Sequence, residues 1–394
     1  MRNYSIFFLI ILIIFILIAP YSVRAEEEDF EPEDIILQQL EKINLSDLQK
    51  EVDRINQKVE GYLPDLDLKG LILGFVRGEL ELNWVNLIQQ LINYFGREVV
   101  ANFYILGQII LLAVVSAVLS IFHDSFSSKT ISNTANILVF LILSVLILQA
   151  FQLAINIGVE VIDNMVSFMQ ALVPVLLSLL VGMGAITSAA IFHPLTFLII
   201  SFFSNVARYV VLPMIFISAI LSIVSEINIE LSLSRLAALF REISLGLLGL
   251  ILIIFIGGLL LQGGAAAVTD SLSLRTAKYL TGTFIPVIGG VFSDAVDLIV
   301  GCSLIIKNAL NIFGFLVIIS VIAYPLLKII ALLLIYKVSS ALIQPIADKR
   351  LVNILNKLGN CLVLVFIVVS AVSLMFFVVL TIITGTANLT VMMR

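Results

Sequence analysis

Five polar side chains stand inside stretches that are otherwise apolar: Asn205 and Arg208 in one, Asp294 and Asp297 in a second, Lys328 in a third. A charge at bilayer depth costs about 3 kcal/mol or more, so such groups face a bundle interior, a partner or a wet path. A guanidinium, an ammonium and two carboxylates could neutralise one another there. They would act as ion pairs that fix helix register, or as a polar pathway or ion site. Asp294 and Asp297 are three residues apart on one helix face, a spacing that an interfacial helix would also show, which weakens a proton-relay reading. It also disfavours an intramembrane protease, whose two aspartates would have to face each other from two helices. The chain holds no nucleotide-binding loop, HExxH zinc site, CxxC pair or nucleophile elbow. His123 and His193 read as loop or helix-end residues, and Cys302 and Cys361 lie in or beside hydrophobic segments with no sign of redox chemistry. No catalytic residue, cofactor or metal is therefore expected, and the chain does not read as an enzyme.

Helix breakers accompany these groups. Pro174 and Pro286 are 112 residues apart in similar surroundings, Pro213 and Pro325 are again 112 apart, and Arg235-Leu236 is answered by Arg350-Leu351 at 115. This spacing suggests an inverted repeat over 135–244 and 245–360, each unit made of a straight span, two Pro-bearing spans and an interfacial helix. Glycines cluster after the prolines (Gly182 and Gly184, Gly289 and Gly290) and through Gly257, Gly258, Gly263 and Gly264. Small residues allow close helix packing, and Pro with Gly allows broken helices beside a polar cavity.

These side chains are positioned by membrane helices. Apolar residues make up 61% of the chain and charged residues 12%, with a mean hydropathy of +1.16, where a soluble domain carries about a quarter charged. The reading is an all-α polytopic membrane protein with about eight spans, near 102–122, 135–157, 171–192, 195–224, 245–268, 284–306, 309–335 and 361–384. The segments 225–244 and 337–360 mix charge with apolar residues at helical spacing and read as helices lying in the interface.

The spans follow a signal peptide over 1–25, with Arg2 ahead of the apolar run Ile6–Ala19 and small residues at Val23 and Ala25. An uncleaved anchor is the alternative. Residues 26–100 form a small exported helical region with 17 acidic and 7 basic side chains. Such a surface repels nucleic acid and anionic lipid. Ser46 with Gln49 resembles a capping box, and Leu48, Val52, Ile55, Val59 and Tyr62 form one apolar stripe. That stripe should pack against the amphipathic stretch Leu71–Phe95 or dock a partner. With eight crossings starting outside, 158–170 falls outside and Arg275 and Lys278 inside. The segment 225–244 then falls outside, and the basic segment with Lys337, Lys349, Arg350 and Lys357 inside.

Within the domain 101–394 a long ordered pattern runs Leu261, Gln262, Gly263, Gly264, then Leu274, Arg275, Thr276, Ala277, Lys278, then Gly282, Phe284, Ile285, Pro286, Val287, Gly289, Phe292, Ser293, Asp294. This pattern resembles the stage III sporulation protein AE family. It continues through Pro325, Lys328, Tyr336, Lys337, Gln344 and Pro345, then Ser373 to Phe377, and the terminal Val391, Met392, Met393, Arg394. Gly290 departs from the basic residue expected there. The resemblance implies a membrane component of the complex joining mother cell to forespore during endospore formation, in the mother-cell membrane around the forespore, with the exported region in the intermembrane space. It implies as partners the other proteins of the same operon, including an ATPase and ring-forming intermembrane proteins, besides the lipid bilayer. It carries no catalytic residues. The competing readings are a free-standing secondary transporter and a scaffold that conducts nothing.

Overall fold

The structure is a computed structural model that describes residues 36, 38–40, 43–59, 67–77, 84–125, 129–227, 233–284 and 288–392. Within these, the side chains of 119–139 and 277–297, among others, are not described. The signal peptide and Pro286 lie outside the described residues.

From Ser46 onward ten α-helices follow one another among the described residues, with no strand. Towards the N-terminus α1 spans Ser46–Val59, α2 Leu68–Arg77 and α3 Trp84–Ala101. The bundle comprises α4 (Phe103–Ser125), α5 (Lys129–Gly182), α6 (Ile186–Val206), α7 (Leu212–Ile227), α8 (Ser234–Phe284), α9 (Ile288–Ile343) and α10 (Lys349–Met392). A π-helical segment, Ala207–Val211, joins α6 to α7. There Leu212 N–H reaches back five residues to Ala207 O. Pro213 follows with no N–H and a ring that crowds the carbonyl four residues earlier, a clash that a widened turn relieves.

The helices are far longer than the expected spans. At 1.5 Å per residue, the 54 residues of α5 extend about 81 Å and the 56 of α9 about 84 Å, against a hydrocarbon core of about 30 Å. The pairs 135–157 with 171–182, and 288–306 with 309–335, each lie on one continuous helix. Six stretches of described helix are long and apolar enough to cross a bilayer: 88–118, 140–182, 186–227, 234–259, 298–343 and 349–386. Among the described residues these stretches are fewer and longer than the eight short spans expected. Pro174 and Pro325 sit inside α5 and α9 without ending them, as neighbouring helices in a bundle permit.

Helix α5 runs antiparallel to α9 and parallel to α10. Tyr336 of α9 donates its hydroxyl to the Ile147 carbonyl of α5, while further along the same pair a Cβ on Gly314 would meet Leu172 at 2.7 Å and Leu380 of α10 at 3.1 Å. Gly158 of α5 lies equally close to Val365 and Val369 of α10, at 3.4 and 3.2 Å from its would-be Cβ. Phe151 stacks on Phe216, with ring centroids 6.1 Å apart, tying α5 to α7. Phe203 meets Phe255 edge-on at 5.6 Å, tying α6 to α8. Glycine therefore sets close approach at two helix contacts, and aromatic pairs fill the wider ones.

Two expectations about helix ends change. The end of α5 is a Schellman stop: Ala185 N–H bonds Leu180 O at 2.9 Å, Gly184 N–H bonds Val181 O at 2.9 Å, and Gly184 has φ 82°. At α1 the capping acceptor is Asn44, whose Oδ1 takes the Ser46 N–H at 3.1 Å and its hydroxyl at 2.7 Å, so Gln49 plays no part in a capping box.

The stripe Leu48, Val52 and Ile55 is buried as read from the sequence, but α1 lays it on α5 and α9 rather than on the stretch Leu71–Phe95. The segments 225–244 and 337–360 are not separate interfacial helices: they form the ends and beginnings of α7, α8, α9 and α10. Nor do they lie on opposite sides, because Lys357 bonds Glu226 at 2.6 Å. Arg275 sits 41 residues along α8 from Ser234, about 60 Å away. It therefore belongs to the end opposite Lys357, and not to the same side. The 112-residue spacing is not kept by the helix breaks: α5 gives way to α6 across 183–185, whereas the equivalent positions 295–297 lie within α9.

Candidate functional site

One turn of α5 gathers the polar groups of the mid-bundle. Glu160, Asp163 and Asn164 follow each other at spacings of three and one, so they project over a limited arc of the helix. Asp163 accepts a hydrogen bond from Arg208 Nη1 at 2.5 Å. The guanidinium also lies over the ring of its neighbour Tyr209, 4.7 Å from the centroid, where the face of the ring attracts a cation. Arg208 is the second residue of the π segment. The widened turn thus carries the cation that meets α5.

A second pair lies between α3 and α9, where Lys328 Nζ approaches Glu98 Oε1 at 3.5 Å. Glu98 is in turn fixed by Asn102, whose side-chain amide donates to the Glu98 carboxylate at 2.9 Å and to its carbonyl at 2.8 Å. Tyr94, one turn earlier on α3, meets Tyr324 edge-on at 4.4 Å.

Between these groups lies a cavity of about 290 Å³, lined by Ile55 of α1, Tyr94 of α3, Glu160 and Asn164 of α5, and Tyr324 and Lys328 of α9. Val321 and Pro325 also line it. Pro325 has no N–H to offer the Val321 carbonyl four residues earlier, so the break in the ladder leaves backbone polarity beside the cavity. The arrangement joins α1, α3, α5 and α9 around one polar, partly open space. It brings no nucleophile, base and acceptor together, and among the described residues no cluster of three metal-ligating side chains occurs.

Of the expected network, Arg208 pairs with Asp163 and Lys328 with Glu98. Asn205 is exposed. Asp294 and Asp297 lie on the first turns of α9, but their side chains fall outside the described residues. Pro213 stands at the second residue of α7, and Pro174 and Pro325 are helix-interior.

Sequence reasoning missed these acids because Glu160 and Asp163 fell in 158–170, read as a loop outside the membrane, and Glu98 fell in the region 26–100, read as preceding the spans. The available signal was their i, i+3 and i+4 spacing, which fits a helix as well as a loop. It missed Asp270 too, which is 1% exposed and accepts the backbone N–H groups of Thr187 and Ser188 at 2.8 Å each. Since Ala185 offers no side-chain cap, a carboxylate 83 residues away caps α6.

Comparison with known proteins supplies the biological frame. The family model described as Stage III sporulation protein AE matches residues 66–387. A curated relative, the Stage III sporulation protein AE of Bacillus subtilis (strain 168), is 39% identical over 334 residues, covering 85% of this chain and 84% of the relative. No solved structure matches the chain.

Proposed function

Because the chain belongs to the stage III sporulation protein AE family and is an all-helical membrane protein with a role in sporulation, we propose that it is a non-catalytic assembly platform. It serves the complex that joins mother cell to forespore, from the mother-cell membrane around the forespore. Its exported region faces the intermembrane space, where ring-forming proteins of the same operon dock, and an ATPase acts from the mother-cell side.

The observation that carries this reading is the seating of the exported helices. α1 buries Leu48, Val52 and Ile55 on α5 and α9, and α3 is tied to α9 by Tyr94 with Tyr324 and by Glu98 with Lys328. A docking surface held this firmly to membrane helices suits a platform. The ion-paired state of Arg208 and Lys328 supports a scaffold over a conducting core, since a charged pathway needs groups available to a passing solute. The free-standing transporter drew on an inverted repeat whose helix breaks fall out of register here.

The test is complementation of a null sporulating strain with wild type and with Glu98→Gln and Lys328→Gln, scored for spores and for co-purification of operon proteins. The platform reading expects both variants to lose partners and spores together. A variant that keeps its partners but yields no spores would move the role to conduction, and a null strain that sporulates normally would end the proposal.

A further inference from the structure

At the end of the bundle that carries the basic residues, α7, α8 and α10 enclose a second cavity of about 170 Å³. Ser218 and Ser222 of α7, Ser234 and Arg241 of α8, and Lys357 and Cys361 of α10 line it. Lys357 is held by Glu226 at 2.6 Å. Arg241 makes no hydrogen bond or ion pair among the described residues, although it is half-buried; its electrostatic effect falls on the thiol of Cys361. A half-buried guanidinium facing a half-open polar space, with five donors and no acceptor, favours an anionic partner there.

We propose that this cavity is a phosphate site, and that its ligand is the phosphate of an anionic lipid headgroup. Arg241 would hold the phosphate through its planar fork of donors, as guanidinium groups do. Lys357 adds a second cation. Glu226 balances one of the two charges, so the site is left with a net positive charge that a monoanionic phosphodiester matches. Ser218 and Ser222 now donate to the carbonyls of Ala237 and Ser218 at 2.7 and 2.8 Å, and hydroxyl protons can rotate toward a stronger, charged acceptor.

The surroundings favour a lipid over a free anion. Leu236, Leu239 and Ile243 are 42%, 50% and 47% exposed and lie at spacings of three and four on α8, next to Arg241. An acyl chain can follow that strip while its headgroup occupies the cavity. The described charges around this end are Arg235, Arg241, Lys337, Lys349, Arg350 and Lys357 against Glu226, Glu242 and Asp348, an excess that draws anionic lipid to the surface.

Cys361 lines the cavity and reports on its occupancy, once Cys302, the other cysteine, is replaced by Ala. Purified Cys302→Ala protein in detergent is treated with methyl methanethiosulfonate in the presence of phosphatidylglycerol, phosphatidylcholine or inorganic phosphate. Phosphatidylglycerol should slow labelling of Cys361 by about tenfold at ten times its Kd. Phosphatidylcholine should do far less. Arg241→Gln should abolish the protection and Arg241→Lys should retain part of it. Protection by inorganic phosphate alone would keep the anion site and overturn the lipid as its ligand. Equal protection by the two lipids, or none by any probe, would overturn the site itself. These outcomes are read in protein with an intact Arg241, so they stand even where Arg241→Gln fails to fold.

Discussion

Arg208 and Asp163 give the clearest handle on single residues. Their side chains are 32% and 40% exposed in the isolated chain. Removing either partner leaves the other as an uncompensated charge, at a cost of about 1 to 3 kcal/mol. We expect Asp163→Asn and Arg208→Gln each to lower the melting temperature in detergent, and the double variant to recover most of the loss. Losses that simply add in the double variant would show that the two side chains do not act as a pair. Which residues were ionisable at depth was legible in the sequence, because Arg208 and Lys328 interrupt long apolar runs. Their partners were not, since a charge pattern along one chain carries no information about which helix packs where. Asp163 is 45 residues from Arg208 and Glu98 is 230 from Lys328.

At the scale of elements, the helix ends matter more than the helix interiors. A hydropathy pattern sees apolar runs and interruptions, and so it divides α5 at Glu160 and Asp163 and α9 around Lys307, although the backbone continues through both. Polar side chains do not break helices; they only need partners, and Lys307 finds the Thr384 carbonyl at 3.1 Å. The real stop after Gly182 depends on the left-handed conformation of Gly184, a signal present in the sequence but read there as a packing residue. Gly184→Ala should cost about 1 to 2 kcal/mol, because a Cβ crowds the following carbonyl in that region. Gly107→Ala, where a Cβ meets nothing within 4 Å, should leave stability unchanged or slightly raised. The pair of variants, compared by thermal melting, separates a backbone requirement from a general sensitivity to added methyl groups. Equal behaviour of the two would remove the Schellman stop as a determinant of the α5–α6 turn.

For the whole molecule, membrane class, helical architecture and family were all legible from composition and ordered motifs, whereas topology was not. Counting charges in loops placed 225–244 and 337–360 on opposite sides, because the count of crossings between them was odd in the eight-span reading. The Glu226–Lys357 contact at 2.6 Å requires one side for both. An alternating course of the six long helical stretches puts the ends of α4, α7 and α9 and the beginnings of α5, α8 and α10 at one end of the bundle, expected to be the cytoplasmic one. Arg235, Lys349 and Arg350 lie beside them there, as the distribution of basic residues demands. The opposite end carries the α5–α6 turn and the far part of α8. Single cysteines at Ser234, Lys349 and Thr276, introduced into a variant with Cys302→Ala and Cys361→Ala, make the arrangement measurable with a membrane-impermeant maleimide. Ser234→Cys and Lys349→Cys should label only after the cytoplasmic face is opened, and Thr276→Cys in intact protoplasts. Labelling of Ser234→Cys from outside while Lys349→Cys stays protected would restore the odd number of crossings and separate two helix ends that an ion pair joins.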